Sequence, residues 1–394
     1  MDKPKLKICH IITRMIIGGA QENTLLSVIG LIEKGHDVVL VTGPTSGPEG
    51  KLLKENNLVK KHKIKIVEID SLVRNINPIK DLKAYFDIKK YLSNNKFDVV
   101  HTHSSKAGII GRYAAYSLKV PYIVHTIHGQ AFHRNETRIK NFIYQTLEKW
   151  SAKKCHKIYA VAQAMIDQCI EKNIAPTEKY RVVYSGMELE SFLENRDNIA
   201  LKQKLNIPEN SPVIGAVARL FPLKGYDFLI EITAKLVEQI PNLRVVIVGD
   251  GILRDELEKQ IADLGLSQNF IFVGLVKPDE VSEYLKIIDV LVHLSLREGL
   301  PRAVVQALAS GKPAIGFNLD GTPEVIINDK TGYIAEVGDI DRIYEYTLKL
   351  IKNPELAKEL GRNGRELVKE KFDWRYMCDC LEKDYVNYEL EITN

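Results

Sequence analysis

Short, almost uniformly apolar runs recur along the chain. Each is followed by a longer stretch in which apolar positions return every three or four residues. A run with no polar alternation reads as a strand covered on both faces, and the longer stretches read as amphipathic helices, so the pattern predicts parallel sheets wrapped by helices. In the first half the predicted strands are 7–12, 37–42, 65–69, 98–102, 122–126 and 157–161, with helices over 20–33, 78–94, 106–118, 138–152 and 164–172. The alternation pauses after 181–187. The polar segment 188–211 reads as a hinge with one short helix, and a second series opens at Pro212 with strands over 213–218, 244–248, 270–273, 290–294, 313–316 and 332–335. The expected fold is therefore α/β, with two Rossmann-like doubly wound domains, 1–190 and 191–372, facing across a cleft at their sheets' carboxyl edges. Amphipathic helices close the chain over 354–390. Phe372-Asp373-Trp374 reads as a turn that sends the last one, 373–394, back to the first domain.

Length agrees with this division, since 394 residues exceed what one ordinary core encloses. No apolar run reaches the roughly 18 residues a membrane span requires, and Met-Asp-Lys-Pro-Lys-Leu-Lys leads into a strand rather than a signal-peptide core. A cytoplasmic protein is the expectation. Cys9, Cys155, Cys169, Cys378 and Cys380 lack the spacing of a zinc site or a disulfide framework, which predicts reduced thiols.

Charge adds something the periodicity does not. Residues 1–190 carry 30 Lys and Arg against 18 Asp and Glu, whereas 191–394 carry 25 against 33. Two basic runs stand out in the first half: Lys51, Lys54, Lys60, Lys61, Lys63 and Lys65, and then Arg134, Arg138, Lys140, Lys149, Lys153, Lys154 and Lys157. They fit either peripheral contact with an anionic membrane or well-solvated helices. No stacking aromatics are interleaved in the way a nucleic-acid surface requires, so nucleic acid is not an expected partner.

The candidate chemistry sits where predicted strands end. Gly18-Gly19 lies between the first strand and the first helix, where paired glycines either bring backbone N–H groups to an anion or simply make a tight turn. His101-Thr-His103 and His125-Thr-Ile-His128-Gly129 place imidazoles at strand ends. No carboxylate or Cys accompanies them at ligand spacing, so no metal is expected. His101 and His125 read as hydrogen-bonded structural groups, and His128, beside Gly129, as a polar group facing a ligand. Arg219 and Lys224, on the loop after the first strand of the second domain, suit a diphosphate. Gly249-Asp250-Gly251 is a glycine turn of low specificity, and Asp339-Ile-Asp341 reads as a helix cap rather than a metal site. Finally, Ser295-Leu-Arg-Glu298-Gly299-Leu300-Pro301 leads from a strand into a predicted helix over 301–310. A helix start with Glu298 beside it suits a phosphate that carries a sugar.

With these motifs in this order, the chain resembles retaining glycosyltransferases of the GT-B fold, family 4, over nearly its whole length. The matching positions are Gly18-Gly19-Ala20, His128-Gly129, Arg219 to Lys224-Gly225, Gly249-Asp250-Gly251, Glu298-Gly-Leu-Pro301 and Asp320-Gly-Thr-Pro-Glu324. The resemblance implies a nucleotide-diphosphate sugar held by the second domain, with UDP as the expected nucleotide, and a glycan or lipid-linked acceptor held by the first. It implies that Arg219 and Lys224 neutralise the leaving diphosphate, that Gly18 and Gly19 close over it, and that His128 and Glu298 contact the sugar. Gly249, Gly299, Leu300 and Pro301 would line the nucleotide-sugar site, and neither a cofactor nor a metal is expected. The family's second glutamate falls on Gln306, which can accept a ribose hydroxyl's hydrogen bond but brings no charge. Retention without a protein base, a phosphate oxygen taking the acceptor's proton, is the mechanism this implies. A sugar-nucleotide epimerase or hydrolase of the same fold, and a non-catalytic two-domain sugar-binding protein, are the alternative readings.

Overall fold

The computed structural model describes residues 4–45, 53, 57–194 and 198–393, so Lys51 and Lys54 of the first basic run lie outside the described residues. The chain divides into two compact units, Met1–Met187 with Phe372–Asn394, and Glu188–Lys371. The first unit runs β1 (Lys7–Ile12), α1 (Gly19–Glu33), β2 (Asp37–Thr42), α2 (Asn57–Lys61), β3 (Lys65–Glu68), α3 (Pro78–Asn95), β4 (Val99–His103), α4 (Ser105–Ser117), β5 (Tyr122–Ile127), α5 (Arg138–Ala152), β6 (Lys157–Ala160), α6 (Gln163–Glu171) and β7 (Tyr180–Val182). Its strands lie in the order β3-β2-β1-β4-β5-β6-β7. Every pairing is parallel. Helices cover both faces, which is why Ile8, Ile11 and Ile12 of β1 and Val99 and Val100 of β4 are all buried despite alternating direction.

β7 was not legible as a strand. The stretch 181–187 falls in no predicted element, with the alternation pausing after it, yet Tyr180–Val182 pairs with β6 at the sheet edge, Ile158 opposite Tyr180. Three residues are too few for a period to show.

The second unit runs α7 (Ile199–Lys204), β8 (Val213–Val217), α8 (Tyr226–Gln239), β9 (Arg244–Val248), α9 (Arg254–Asp263), β10 (Phe270–Gly274), α10 (Val281–Ile287), β11 (Val290–His293), α11 (Arg302–Ala309), β12 (Ala314–Phe317), β13 (Gly332–Ala335), α12 (Ile340–Lys352) and α13 (Pro354–Lys371). Its sheet, β10-β9-β8-β11-β12-β13, is also wholly parallel. The strand order reverses at β1/β4 in one sheet and at β8/β11 in the other, the places where doubly wound folds leave a crevice. Asp339 caps α12, its carboxylate accepting from Arg342 N at 3.0 Å.

After α13 the chain re-enters the first unit as α14 (Trp374–Thr393). The entry is pinned by backbone hydrogen bonds from Met187 N to Phe372 O at 3.0 Å and from Trp374 N to Met187 O at 3.3 Å. Trp374, Met377, Cys378, Leu381, Tyr385 and Val386 then complete a core shared with Leu25 and Ile29 of α1. The two helices approach so closely that a Cβ on Gly30 would lie 2.3 Å from Cys378 Sγ and 2.8 Å from its Cβ. Lys34 reinforces the contact through ion pairs to Asp379 and Glu382. All five cysteines are free, four of them buried.

Gly30→Val is expected to cost about 1–3 kcal/mol through overpacking against Cys378 and Trp374, read as a lower urea midpoint. An unchanged midpoint would mean that α1 and α14 do not pack this tightly.

Candidate active site

In the second unit, the loop between β8 and α8 carries Arg219 and Lys224. It is tied down at both ends. Tyr226 Oη donates to Ala218 O at 2.7 Å, and Leu220 N donates to Asp250 O at 3.0 Å. The glycine turn after β9 makes this fit possible: a Cβ on Gly249, whose φ is +142°, would lie 2.0 Å from Ala218 O, and one on Gly251 would lie 2.4 Å from Leu220 O. Gly249's own N–H donates to Gly274 O at 2.9 Å, so its contribution is close backbone approach rather than an amide offered to a ligand.

The same loop meets the turn after β11. Gly225, at φ +76°, sits where a Cβ would be 2.0 Å from Leu294 O, and Leu296 N donates to Leu223 O at 2.8 Å. That backbone contact brings Lys224 to Glu298, Nζ to Oε1 at 2.7 Å, with Ser295 Oγ 3.4 Å from the ammonium. Two further side chains hold Glu298: Asp320, which the sequence offered only as the start of the Asp320–Glu324 match, and His293, which it did not single out. Asp320 Oδ2 accepts from Glu298 N at 2.8 Å, and His293 Nε2 lies 3.4 Å from Glu298 Oε1. His293 was findable as a polar group at the carboxyl end of β11, the edge where this fold binds ligands. Burial opposes ionisation of Glu298, but His293 and the Lys224 ammonium outweigh it and hold the carboxyl at about 2.

The other expected residues of this unit are less tightly gathered. Arg219 is exposed, its guanidinium 4.9 Å from the Phe221 ring. The helix expected from residue 301 begins at Arg302 instead, because Pro301 is its cap, at φ −74° and ψ 90°, and its carbonyl accepts from Val304 N and Val305 N. Leu300 and Pro301 bury their side chains, leaving only backbone to face a ligand there, with Gly299 half-buried beside them. Gln306 lies on α11 and is half-buried.

In the first unit, Gly18 caps α1 in extended backbone and Gly19 opens the helix, with Glu22 N donating to Gly18 O at 3.0 Å. His128 follows β5 and is half-buried, and the space where a Cβ on Gly129 would lie is open. His128 belongs to a chain of imidazoles: its Nε2 is 3.0 Å from His103 Nδ1, and His103 Nε2 is 2.9 Å from His10 Nδ1. The three come from the adjacent strands β1, β4 and β5. His101 bonds Thr126 Oγ1 at 2.7 Å and Tyr385 Oη of α14 at 2.6 Å, and His125 bonds Thr102 Oγ1 at 3.0 Å. His10, His101 and His103 place ring nitrogens within 4.8 Å of one another, the one group among the described residues with metal-ligand geometry. Those nitrogens, save His10 Nε2, already hold hydrogen bonds that an ion would have to displace. Burial, with no counter-charge beside the rings, holds His10 at about 3 and His103 well below the ordinary imidazole range, so both are neutral.

Two successive doubly wound units, each a wholly parallel sheet, are the architecture of the GT-B class. Residues 17–191 match Glycosyltransferase Family 4 and residues 197–367 match Glycosyl transferases group 1. The chain belongs to this glycosyltransferase family. It is 30% identical over 387 residues, 97% of each chain, to the Escherichia coli UDP-Gal:alpha-D-GlcNAc-diphosphoundecaprenol alpha-1,3-galactosyltransferase. Among solved structures it is similar to a glycosyltransferase from Rickettsia africae, with a TM-score of 0.81 and 22% identity over 98% of each chain. It also resembles Anabaena Alr3699/HepE, crystallised in complex with UDP, with a TM-score of 0.80 and 20% identity over 96% of this chain and 99% of that one.

Because Glu298 is held at about 2 against an ordinary 4.5, its ion pairing stabilises the fold above pH 4.5 and is lost as pH falls from 4.5 toward 2. Glu298→Gln should remove up to about 3 kcal/mol of that acid-dependent slope, measured by denaturation across this window. Identical slopes in the two proteins would show that Glu298 is not ionised by its neighbours.

Proposed function

We propose that the chain transfers a hexose from a UDP-sugar to a hydroxyl of a polyprenyl-diphosphate-linked sugar, with retention of configuration. The observation that carries this reading is the Lys224–Glu298 pair, a mobile cation and a carboxylate held together by two interlocked loops at the carboxyl edge of the second sheet. The full-length kinship with an enzyme whose name gives a UDP-galactose donor, a diphosphoundecaprenol acceptor and an α linkage supports it.

In this reading the diphosphate takes Lys224 from Glu298 and also recruits Arg219. Glu298, released from the ammonium, accepts hydrogen bonds from sugar hydroxyls. Gly18, Gly19 and the backbone of Gly299 to Pro301 line the phosphates, Gln306 accepts from the ribose, and His128 contacts the sugar. The bond from C1 to the diphosphate oxygen breaks, the acceptor oxygen bonds to C1 on the same face, and the acceptor's proton passes to the departing diphosphate. Most of the barrier lowering then comes from neutralising the leaving group, which needs no protein base or metal.

The acceptor reading implies work at a lipid surface. Among the described residues no helix is long and apolar enough to cross a membrane. What supports peripheral binding is a face that leaves apolar side chains in water. On α3, Ile79, Leu82 and Phe86 recur at helical spacing, Ile79 being 83% exposed; on α5, Ile139 at 75% and Phe142 at 71% are joined by Ile143 and Trp150. Both helices pack on α4, and Lys80, Lys83, Arg138, Lys140, Lys149 and Lys153 flank the apolar positions. Apolar insertion beside cations is how a helix lies on an anionic bilayer. On this basis the protein docks peripherally on an anionic membrane surface in this reading.

Lys224→Ala should lower turnover of a UDP-hexose with a polyprenyl-diphosphate-linked N-acetylglucosamine acceptor by on the order of 10²-fold. A near-normal rate, or a glycosyl-enzyme adduct trapped by mass spectrometry, would overturn the mechanism. Phe142→Ser with Trp150→Ser should release the protein from vesicles of acidic lipid at low salt. Retention on those vesicles by the double variant would locate the docking face elsewhere.

A further inference from the structure

The imidazole chain His10–His103–His128 has an end, and that end gives it a direction. Each link, 2.9 Å and 3.0 Å between ring nitrogens, needs one N–H and one bare nitrogen. A neutral imidazole carries a single N–H, so choosing the proton's place on one ring fixes it on the others. His10 Nε2 is buried and has no hydrogen-bond partner. If it carried the proton, it would be an orphaned buried donor, a defect folded proteins rarely keep. The proton of His10 therefore sits on Nδ1 and is donated to His103 Nε2. His103 must then carry its own proton on Nδ1 and donate it to His128 Nε2.

We infer that His103, held by His10, is a positioning residue that fixes His128 as its Nδ1–H tautomer, so that the nitrogen not bonded to His103 is an N–H donor, the form that would meet a sugar hydroxyl or oxygen. The functional half of this rests on the reading of His128 as a donor-sugar contact; the tautomer itself does not. Free imidazole side chains in water favour the other tautomer, so without the chain His128 would present a bare acceptor instead. Ring geometry agrees with the relay: the His10 and His103 centroids lie 5.1 Å apart at 15° and the His103 and His128 centroids 5.3 Å apart at 28°, the separation of imidazoles joined edge to edge through one N–H···N bond and nearly coplanar. His101 backs the group, its centroid 4.1 Å from that of His103, and is itself held by Tyr385 of α14. The helix that returns to this unit thus braces the relay from behind.

The test is selective ¹⁵N labelling of the ten histidines of the substrate-free protein, with His128→Gln supplying the assignment. Long-range proton–nitrogen correlations should show His128 protonated at Nδ1. His103→Phe, which keeps a ring but no donor, should revert His128 to the Nε2–H form and lower kcat by on the order of 10-fold. His103→Asn, whose amide can donate from nearly the Nδ1 position, should restore both. Finding His128 protonated at Nε2 in the wild type, or unchanged in His103→Phe, would overturn the inference. Because the spectrum is recorded without substrate, an enzyme that ignores UDP-hexoses would refute the proposed reaction and leave the tautomer result standing. If His103→Phe fails to fold, the wild-type spectrum and the His103→Asn variant decide alone.

Discussion

Every strand in both sheets runs parallel, so each connection must cross back over a face of its sheet as a helix, and all strands deliver their carboxyl ends to one edge. That constraint assembles the chemistry. Lys224 and Glu298 are 74 residues apart in sequence, but they follow β8 and β11, neighbours at the reversal of strand order, and so meet at 2.7 Å. His10 lies within β1, His103 ends β4 and His128 follows β5, strands that are likewise adjacent at the reversal of the other sheet. No local pattern along the chain could have produced either grouping.

The two edges resolve the cost of burying polar groups in opposite ways. Around Glu298, the His293 contact and the Lys224 ammonium outweigh desolvation, and the carboxylate stays ionised. Around His103 no anion is at hand, desolvation keeps His10 and His103 neutral, and the three imidazoles share hydrogen bonds. The first arrangement can exchange one anionic partner for another. The second is suited to holding a ring in one orientation, because moving any member leaves a buried nitrogen unpaired.

Keeping the charged pair in place requires unfavourable backbone. Leu223 at φ +69° and Asp320 at φ +50° occupy the left-handed region without being glycine, at a cost of about 1–2 kcal/mol each. Both positions hold the site: Leu223 O accepts from Leu296 N, and the Asp320 carboxylate accepts from Glu298 N. Glycine takes over where side chains could not fit at all, as at Gly225 against Leu294 O and Gly249 against Ala218 O.

The sequence by itself determined the two series of strands and helices, because burial on both faces leaves uniformly apolar runs and covering helices leave a period near 3.6. It also pointed to Lys224, Glu298 and His128, whose residue types at strand ends already suggest anion and hydroxyl binding, and to Asp339 as a cap. It did not reveal β7, whose three residues carry no period, or the start of α11 one residue beyond Pro301. Nor did it separate Gly249's packing role from ligand binding, since the contact with Ala218 O joins two loops distant in sequence. His10 and His293 looked like single polar residues inside apolar runs, and Asp320 was legible only as the start of a motif, not as the acceptor that holds Glu298 N. Only the tertiary structure decided that Lys224 shares its charge with Glu298, and that His10 leaves one nitrogen without a partner. Those facts depend on which strands become neighbours, and strand order is set by the packing of whole sheets and their helices rather than by the residues of any one segment.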